Sequence, residues 1–250
     1  MSTVLWTTGV AVGFLALIAG HEAGRALALR SVGIPITEAG LGLPVPPRLL
    51  LAPAGDRPFR LSLSPWLICA YVRSDDNALA ALRRRSYADQ AWCAGAGTAV
   101  NVIAGCGLAS VISILHADWG RLIVWLAIGV ATAVRPLQFA AYVMPVLSIP
   151  ALGFSVWAVI DTEGRASVGE FLIVSTPSGA LLTVCVLSLA VALLDSIPVY
   201  PLAGGRIARL LILRWRGDRA AAVFQVATAV VVAGLVAYSL VSDVLWAMRS

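Results

Sequence analysis

Long stretches without charge are the feature that most limits how this chain can fold. Several windows run to roughly 18 or more residues with almost no charged side chain, which is the length an α-helix needs to cross a bilayer. Of the 250 residues, 60% are hydrophobic and 12% are charged, about half the charged fraction of an ordinary soluble domain. These features exclude a soluble fold and predict an all-α polytopic membrane protein.

We expect a single membrane domain over residues 1–250, with about six transmembrane helices. Their predicted positions are 4–29, 88–115, 121–142, 143–160, 171–194 and 220–246. The pair Arg135-Pro136 interrupts the third helix, so the third and fourth could form one broken hairpin. Residues 34–72 follow the first helix, and apolar and polar residues alternate there from Phe59 to Leu63. This pattern predicts a small β-hairpin or sheet with one face apolar enough to lie on the membrane.

The positive charge is concentrated in two parts of the chain. The net charge of +5 comes from arginine alone, and most arginines fall within residues 30–85 and 206–219. The positive-inside rule places both segments in the cytoplasm and both termini outside. Arginines and leucines intermingle in 206–219, as in an interfacial amphipathic helix. We therefore expect an integral cell-membrane protein with membrane lipid as a partner, and no nucleic acid.

Three ionisable residues lie inside the first predicted helix, where charge is costly and usually functional. His21 and Arg25 are four residues apart on one face, with Glu22 beside them. In the motif H-E-x-x-H this spacing lets two imidazoles bind zinc, and the glutamate carboxylate accepts a proton from water. Arginine offers no lone pair and adds a fixed positive charge. The only other histidine, His116, falls about 30 Å away along the second helix. An ion pair, zinc binding and metal-free proton transfer all remain open.

Two more segments stand out by their small and helix-breaking residues. The segment "DSIPVYPLAGGR", from Asp195 to Arg206, predicts unwound backbone at membrane depth. Such backbone is tolerated only where it is buried in protein or lines a cavity. Gly97, Asn101 and Gly105 are spaced four apart, a small-polar-small stripe suited to close helix packing and an interhelical hydrogen bond.

Taken together, these motifs resemble the site-2 protease family of intramembrane zinc metalloproteases. The order and spacing agree over about residues 15–210. In this family H-E-x-G-H opens the pattern, and N-x-x-P-x-P-x-L-D-G-G closes it. The matching residues here are His21-Glu22-Ala23-Gly24-Arg25, Gly33-Ile34, Pro65 to Tyr71-Val72, Ala94-Gly95 with Asn101, and Pro198-Val199-Tyr200-Pro201-Leu202-Ala203-Gly204-Gly205.

The departures from the family pattern fall on the zinc ligands. The resemblance implies two histidines and the aspartate of L-D-G as ligands, and a glutamate as general base. Only His21 is retained among the ligand positions, since Arg25 replaces the second histidine and Ala203 replaces the aspartate. Glu22 is kept, and Asp195 matches the asparagine before the prolines. Zinc sites use at least three protein ligands, so we expect no cofactor and no metal-binding residues.

Three functions are consistent with this pattern. We favour a non-proteolytic pseudoprotease that binds a transmembrane or peptide client. A partner subunit is a further possible binding partner. The alternatives are an active intramembrane zinc metalloprotease with atypical ligands, and a metal-free proton-transfer enzyme such as a peptide isomerase. The candidate catalytic residues are His21, Glu22 and Arg25. The residues expected to contact a client are Asn101, Asp195, Pro198, Tyr200, Pro201, Gly204 and Gly205, although Asn101 could instead hold helices together.

Overall fold

The computed structural model describes residues 2–42, 46–47, 49–51, 60–64, 70–74, 76–147, 149–150, 176–200 and 202–247. The described chain is mostly helical and carries one small sheet. Its elements in order are α1 (Ser2–Ser31), β1 (Glu38–Leu41), β2 (Leu49–Leu51), β3 (Arg60–Leu63), β4 (Ala70–Arg73), α2 (Asp76–Arg83), α3 (Tyr87–Leu115), α4 (Trp119–Val134), α5 (Pro136–Gln138) with a π-helical turn after it (Phe139–Val143), α6 (Pro177–Asp195) and α7 (Ala203–Ala247).

The described residues contain four helices that are long and apolar enough to cross a membrane. They are Val4–Ser31, Tyr87–Leu115, Pro177–Asp195 and Ala203–Gly234. A fifth candidate is a broken span in which Trp119–Val134 and Pro136–Leu147 meet at 93°. The break falls at Arg135-Pro136, as predicted, because proline cannot continue a helix but suits the first position of the next one. The expected count of six is not confirmed, since most of the predicted 143–160 helix lies outside the described residues, whereas the predicted 171–194 helix corresponds to α6.

The last helix begins earlier than the sequence suggested. We expected it near residue 220, but α7 starts at Ala203 and includes the arginine-rich segment 206–219. Within α7, Gly217 has φ of 81° and ψ of −179°, which interrupts the regular helix. This conformation is open to glycine and strained for residues with a Cβ. The arginine-rich segment is therefore helical, as expected, but it continues into the last span through one kink.

The four strands form one mixed sheet in the order β2-β3-β1-β4. The predicted hairpin corresponds to β2 and β3, which pair antiparallel with Leu51 opposite Leu61. The turn between them lies outside the described residues. β1 pairs parallel with β3 and antiparallel with β4, and β4 packs against α1. The Tyr71 hydroxyl donates a hydrogen bond to the buried Glu38 carboxylate, which ties β4 to β1.

Helix α3 lies at the centre of the helical bundle and packs against α1, α4, α6 and α7. Glycines allow these close contacts. A Cβ added to Gly24 of α1 would lie 2.6 Å from Val100, and one added to Gly105 of α3 would lie 2.5 Å from Leu189 of α6. One added to Gly97 would overlap a side chain of α1. The predicted stripe of small residues on α3 is thus confirmed as a helix-packing surface.

Candidate functional site

The ionisable residues predicted to be catalytic or to contact a client lie around a cavity of about 180 Å³. Residues from α1, α3, the end of α6 and the start of α7 line it. They are His21, Glu22, Arg25, Ala94, Asp195, Leu202, Ala203 and Arg206. The fold therefore brings together the two motifs that the sequence separates by some 170 residues, near 21–25 and 195–206.

Arg25 and Glu22 form an ion pair within α1. Arg25 Nη1 donates to both carboxylate oxygens of Glu22, at 2.7 and 2.8 Å. The two side chains are 20% and 12% exposed, so water screens this pair less than it screens a surface pair. The ion pair considered from the sequence is thus present. Arg25 Nε is buried and has no hydrogen-bond partner among the described residues.

The His21 ring is held by α3 and faces the end of α6. Asn101 Nδ2 lies 3.1 Å from His21 Nδ1. With Asn101 as donor, the proton of a neutral His21 is on Nε2, which lies 3.8 Å from Asp195 Oδ2. Gly97 leaves room for the ring, because a Cβ at this position would overlap it. The ring orientation therefore depends on two α3 residues.

Asp195 is the last residue of α6, and it joins three helices. Its Oδ1 accepts a hydrogen bond from the backbone N–H of Ala203, at 2.9 Å. Its Oδ2 accepts one from the Thr98 hydroxyl of α3. A carboxylate beside the first N–H groups of α7 is also favoured by the helix dipole. Thr98 was missed by sequence reasoning, since one threonine in an apolar helix gives no signal of the partner it will meet.

The sequence profile of Peptidase family M50 matches residues 9–238, nearly the whole chain. The chain belongs to peptidase family M50. This is the site-2 protease family, so the resemblance inferred from the motifs is confirmed. No curated protein matches the chain. Membership and the apolar helices together make this M50 protein an integral membrane protein with the fold of an intramembrane metalloprotease.

M50 peptidases are generally zinc-dependent, but the residues at this site do not fit a zinc ion. Within the described parts of the chain, no group of three or more His, Cys, Asp or Glu side chains could hold a metal. Both Glu22 oxygens accept hydrogen bonds from Arg25, whose fixed positive charge would repel a dication. His21 Nε2 carries the ring proton when Asn101 donates to Nδ1. Asp195 alone does not complete a site that needs three ligands.

Asn101 and Asp195, two of the residues expected to contact a client, lie at this M50 site. Asn101 is 1% exposed, and its main-chain oxygen accepts from Ser188 Oγ at 2.8 Å. Its side chain bonds to His21, so Asn101 connects α1, α3 and α6. Holding helices together was one of the two roles that the sequence analysis considered for Asn101.

The remaining expected client contacts belong to the segment between α6 and α7. Tyr200 lines a neighbouring cavity, and Pro198 is partly buried. Gly204 and Gly205 lie directly against the backbone of residues 196–200, which a Cβ at either position would overlap. These glycines are required for the close approach of that segment to α7. Pro201 lies outside the described residues.

Two arginines depart from the expectation that 206–219 forms a lipid-facing surface. Arg206 lines the 180 Å³ cavity, and Arg209 lines the neighbouring one, whereas Arg214 on the same helix is exposed. The interspersed arginines and leucines gave no indication of which arginines turn inward. Their position depends on how α7 is rotated against α1 and α3.

Proposed function

We propose that this M50 protein is a non-proteolytic pseudoprotease that binds a transmembrane or peptide client. The observation that carries the proposal is the pair between Arg25 and Glu22. Glu22 occupies the position of the family's general base. A carboxylate with both oxygens bonded to a fixed cation must give up those bonds before it can accept a proton from water. The same arginine replaces a metal ligand, so the site lacks two requirements of metal-assisted hydrolysis.

Two apolar clefts that reach the site support client binding. One, of about 320 Å³, has Phe14 and Ile18 of α1 opposite Val191 of α6, and it ends at His21 and Asp195. The other, of about 370 Å³, lies between α1 and the sheet and reaches Glu22. Both have mostly hydrophobic walls with a few polar groups, as binding clefts for apolar ligands usually have. An apolar peptide segment would bury its side chains there with its backbone near the polar site.

The orientation of the bundle is part of this proposal. The contact between Trp92 Nε1 and Ser31 Oγ, at 3.3 Å, puts the start of α3 beside the end of α1. The contact of His21 with Asp195 brings the end of α6 to the same half of the bundle, and α7 starts nearby. This arrangement supports a cytoplasmic location for the arginine-rich segments and an outside location for both termini.

The zinc content of the purified protein tests the loss of metal chemistry. We expect no stoichiometric zinc in the native chain, measured by metal mass spectrometry in detergent. The Arg25→His variant removes the cation and adds an imidazole four residues from His21. Combined with Ala203→Asp, it restores the family's three ligand types and should bind about one zinc. Incubation of both proteins with model transmembrane peptides should give cleavage only by a zinc-loaded form.

The control is Arg214→His, which adds a histidine at an exposed position of α7 outside the site. It should bind no more zinc than the native chain. Stoichiometric zinc in the native chain, lost on His21→Ala, would overturn the pseudoprotease proposal and favour the metalloprotease alternative.

A further inference from the structure

A larger cavity of about 420 Å³ adjoins the candidate site and shares Arg25, Ala94 and Arg206 with it. It lies between the end of α1, β4, α2 and the first turns of α3 and α7. Four arginines from three elements line it: Arg25, Arg73, Arg206 and Arg209. No acidic residue belongs to its described lining.

The described residues compensate the charge of this arginine cluster only in part, since Asp195 and Glu22 line the adjoining cavity with Arg206. Among the described residues, the ion pair of Arg25 with Glu22 is the only one that involves a member of the cluster. Like charges that share a partly buried cavity repel one another more strongly than they do in water. An anion bound between them would remove this repulsion.

Three polar groups at the cavity also lack hydrogen-bond partners within the described parts of the chain. The Ser74 hydroxyl is buried, with its residue 9% exposed, and it has no hydrogen-bond partner among the described residues. The same holds for Nε of Arg25 and Nε of Arg209, both buried. Buried donors are nearly always hydrogen-bonded in folded proteins. All three residues belong to the lining of the cavity, where a ligand with several acceptor oxygens is their candidate partner.

We propose that this cavity binds a phosphate group. A phosphate presents several acceptor oxygens in different directions, and guanidinium groups bind such oxygens in bidentate fashion. The lining also has an apolar part, with Leu29, Val72, Leu82 and Leu210. It would accommodate a hydrocarbon part of the same ligand. This site goes beyond the proposed client binding.

The depth of the cavity allows two sources of phosphate. Arg25 lies six residues before the end of α1, which is about 9 Å along the helix. This depth suits the headgroup of a phospholipid, and a soluble phosphate compound could enter from the same side. Both sources share the chemistry of the site, and binding experiments distinguish them.

The test measures binding to the full chain purified in an uncharged detergent. Titrations use inorganic phosphate, short-chain phosphatidylglycerol and octanoate, the last as a carboxylate probe. We expect saturable binding of at least one phosphate probe and weaker binding of octanoate. Arg209→Gln should weaken phosphate binding by about tenfold or more, the effect of one lost charge-assisted hydrogen bond. Arg209→Lys, which keeps the charge without the bidentate geometry, should fall between Arg209→Gln and the native chain.

Arg214→Gln is the matched control, because Arg214 is exposed on the same helix. It should bind like the native chain. If Arg209→Gln does not fold, Ser74→Ala and Arg209→Lys are measured in its place, and both should weaken phosphate binding. Binding of phosphatidylglycerol alone identifies a lipid headgroup as the source, and binding of inorganic phosphate alone identifies a soluble one. No binding of either, tighter binding of octanoate, or equal effects of the Arg209 and Arg214 variants would refute the proposal.

Discussion

At the scale of single residues, His21 and Asp195 of the site are each held by a residue from another helix. His21 of α1 contacts Asn101 of α3, and Asp195 of α6 accepts from Thr98 of α3. Side-chain hydrogen bonds between helices replace the hydrophobic driving force that is missing inside a bilayer. The site can therefore stay ordered without a metal ion, and α3 supplies most of the residues that order it.

Gly97 offers a test of this positioning. A Cβ at Gly97 would overlap the His21 ring, whereas one at Gly107 of the same helix meets nothing within 4 Å. Gly97→Ala should reduce the free energy of unfolding by about 1–3 kcal/mol, as expected for an overpacked core. Gly107→Ala should be neutral or up to about 1 kcal/mol more stable, since alanine is the better helix former. Unfolding in mixed micelles with increasing SDS measures both, and equal stabilities of the two variants would contradict the contact.

At the scale of elements, α7 both contributes residues to the site and forms a candidate span. The sequence predicted an interfacial helix over 206–219 and a separate span over 220–246. The first turns of α7 supply Arg206 to the site, and the Ala203 N–H binds Asp195. The candidate span Ala203–Gly234 includes these turns and the apolar residues that follow them. The kink at Gly217 falls within this span. A single helix can serve both because one residue with positive φ changes its direction after the arginine-rich turns.

The kink makes Gly217 sensitive to a Cβ through its backbone conformation, although no neighbouring atom crowds it. Gly217→Ala should cost about 1–3 kcal/mol through backbone strain alone, because no atom lies within 4 Å of the added Cβ. Gly234→Ala is the control, since Gly234 is in regular helix and is equally uncrowded. Thermal unfolding in detergent compares the two. A Gly217→Ala protein as stable as Gly234→Ala would show that the kink is not required.

At the scale of the whole molecule, four helices contribute to one polar site inside an apolar bundle. The ends of α1 and α6 and the starts of α3 and α7 lie in the same half of the bundle. An even number of membrane crossings between the N-terminus and the C-terminus is required if both termini are outside. Charge inside the bilayer is tolerated here because the ionisable groups face one another across a cavity.

The orientation can be measured with reporter fusions in a bacterial host. Alkaline phosphatase fused after Ser250 should be active, and green fluorescent protein at this position should stay dark. Green fluorescent protein inserted at the exposed Arg84, between α2 and α3, should fluoresce, because the positive-inside rule predicts a cytoplasmic location for arginine-rich loops. Fluorescence of the C-terminal fusion would contradict the proposed orientation.

The sequence alone was sufficient to predict the membrane class, most of the helix positions, the family and the cluster of His21, Glu22 and Arg25. These follow from hydropathy and short spacings, which are local properties of the chain. Only the tertiary structure decided that Asp195 reaches His21, that Thr98 donates to it, and that Arg206 and Arg209 turn toward the cavities. Such contacts depend on the rotation of each helix about its axis. That rotation is set by close packing between helices, to which residues far apart in the sequence contribute jointly.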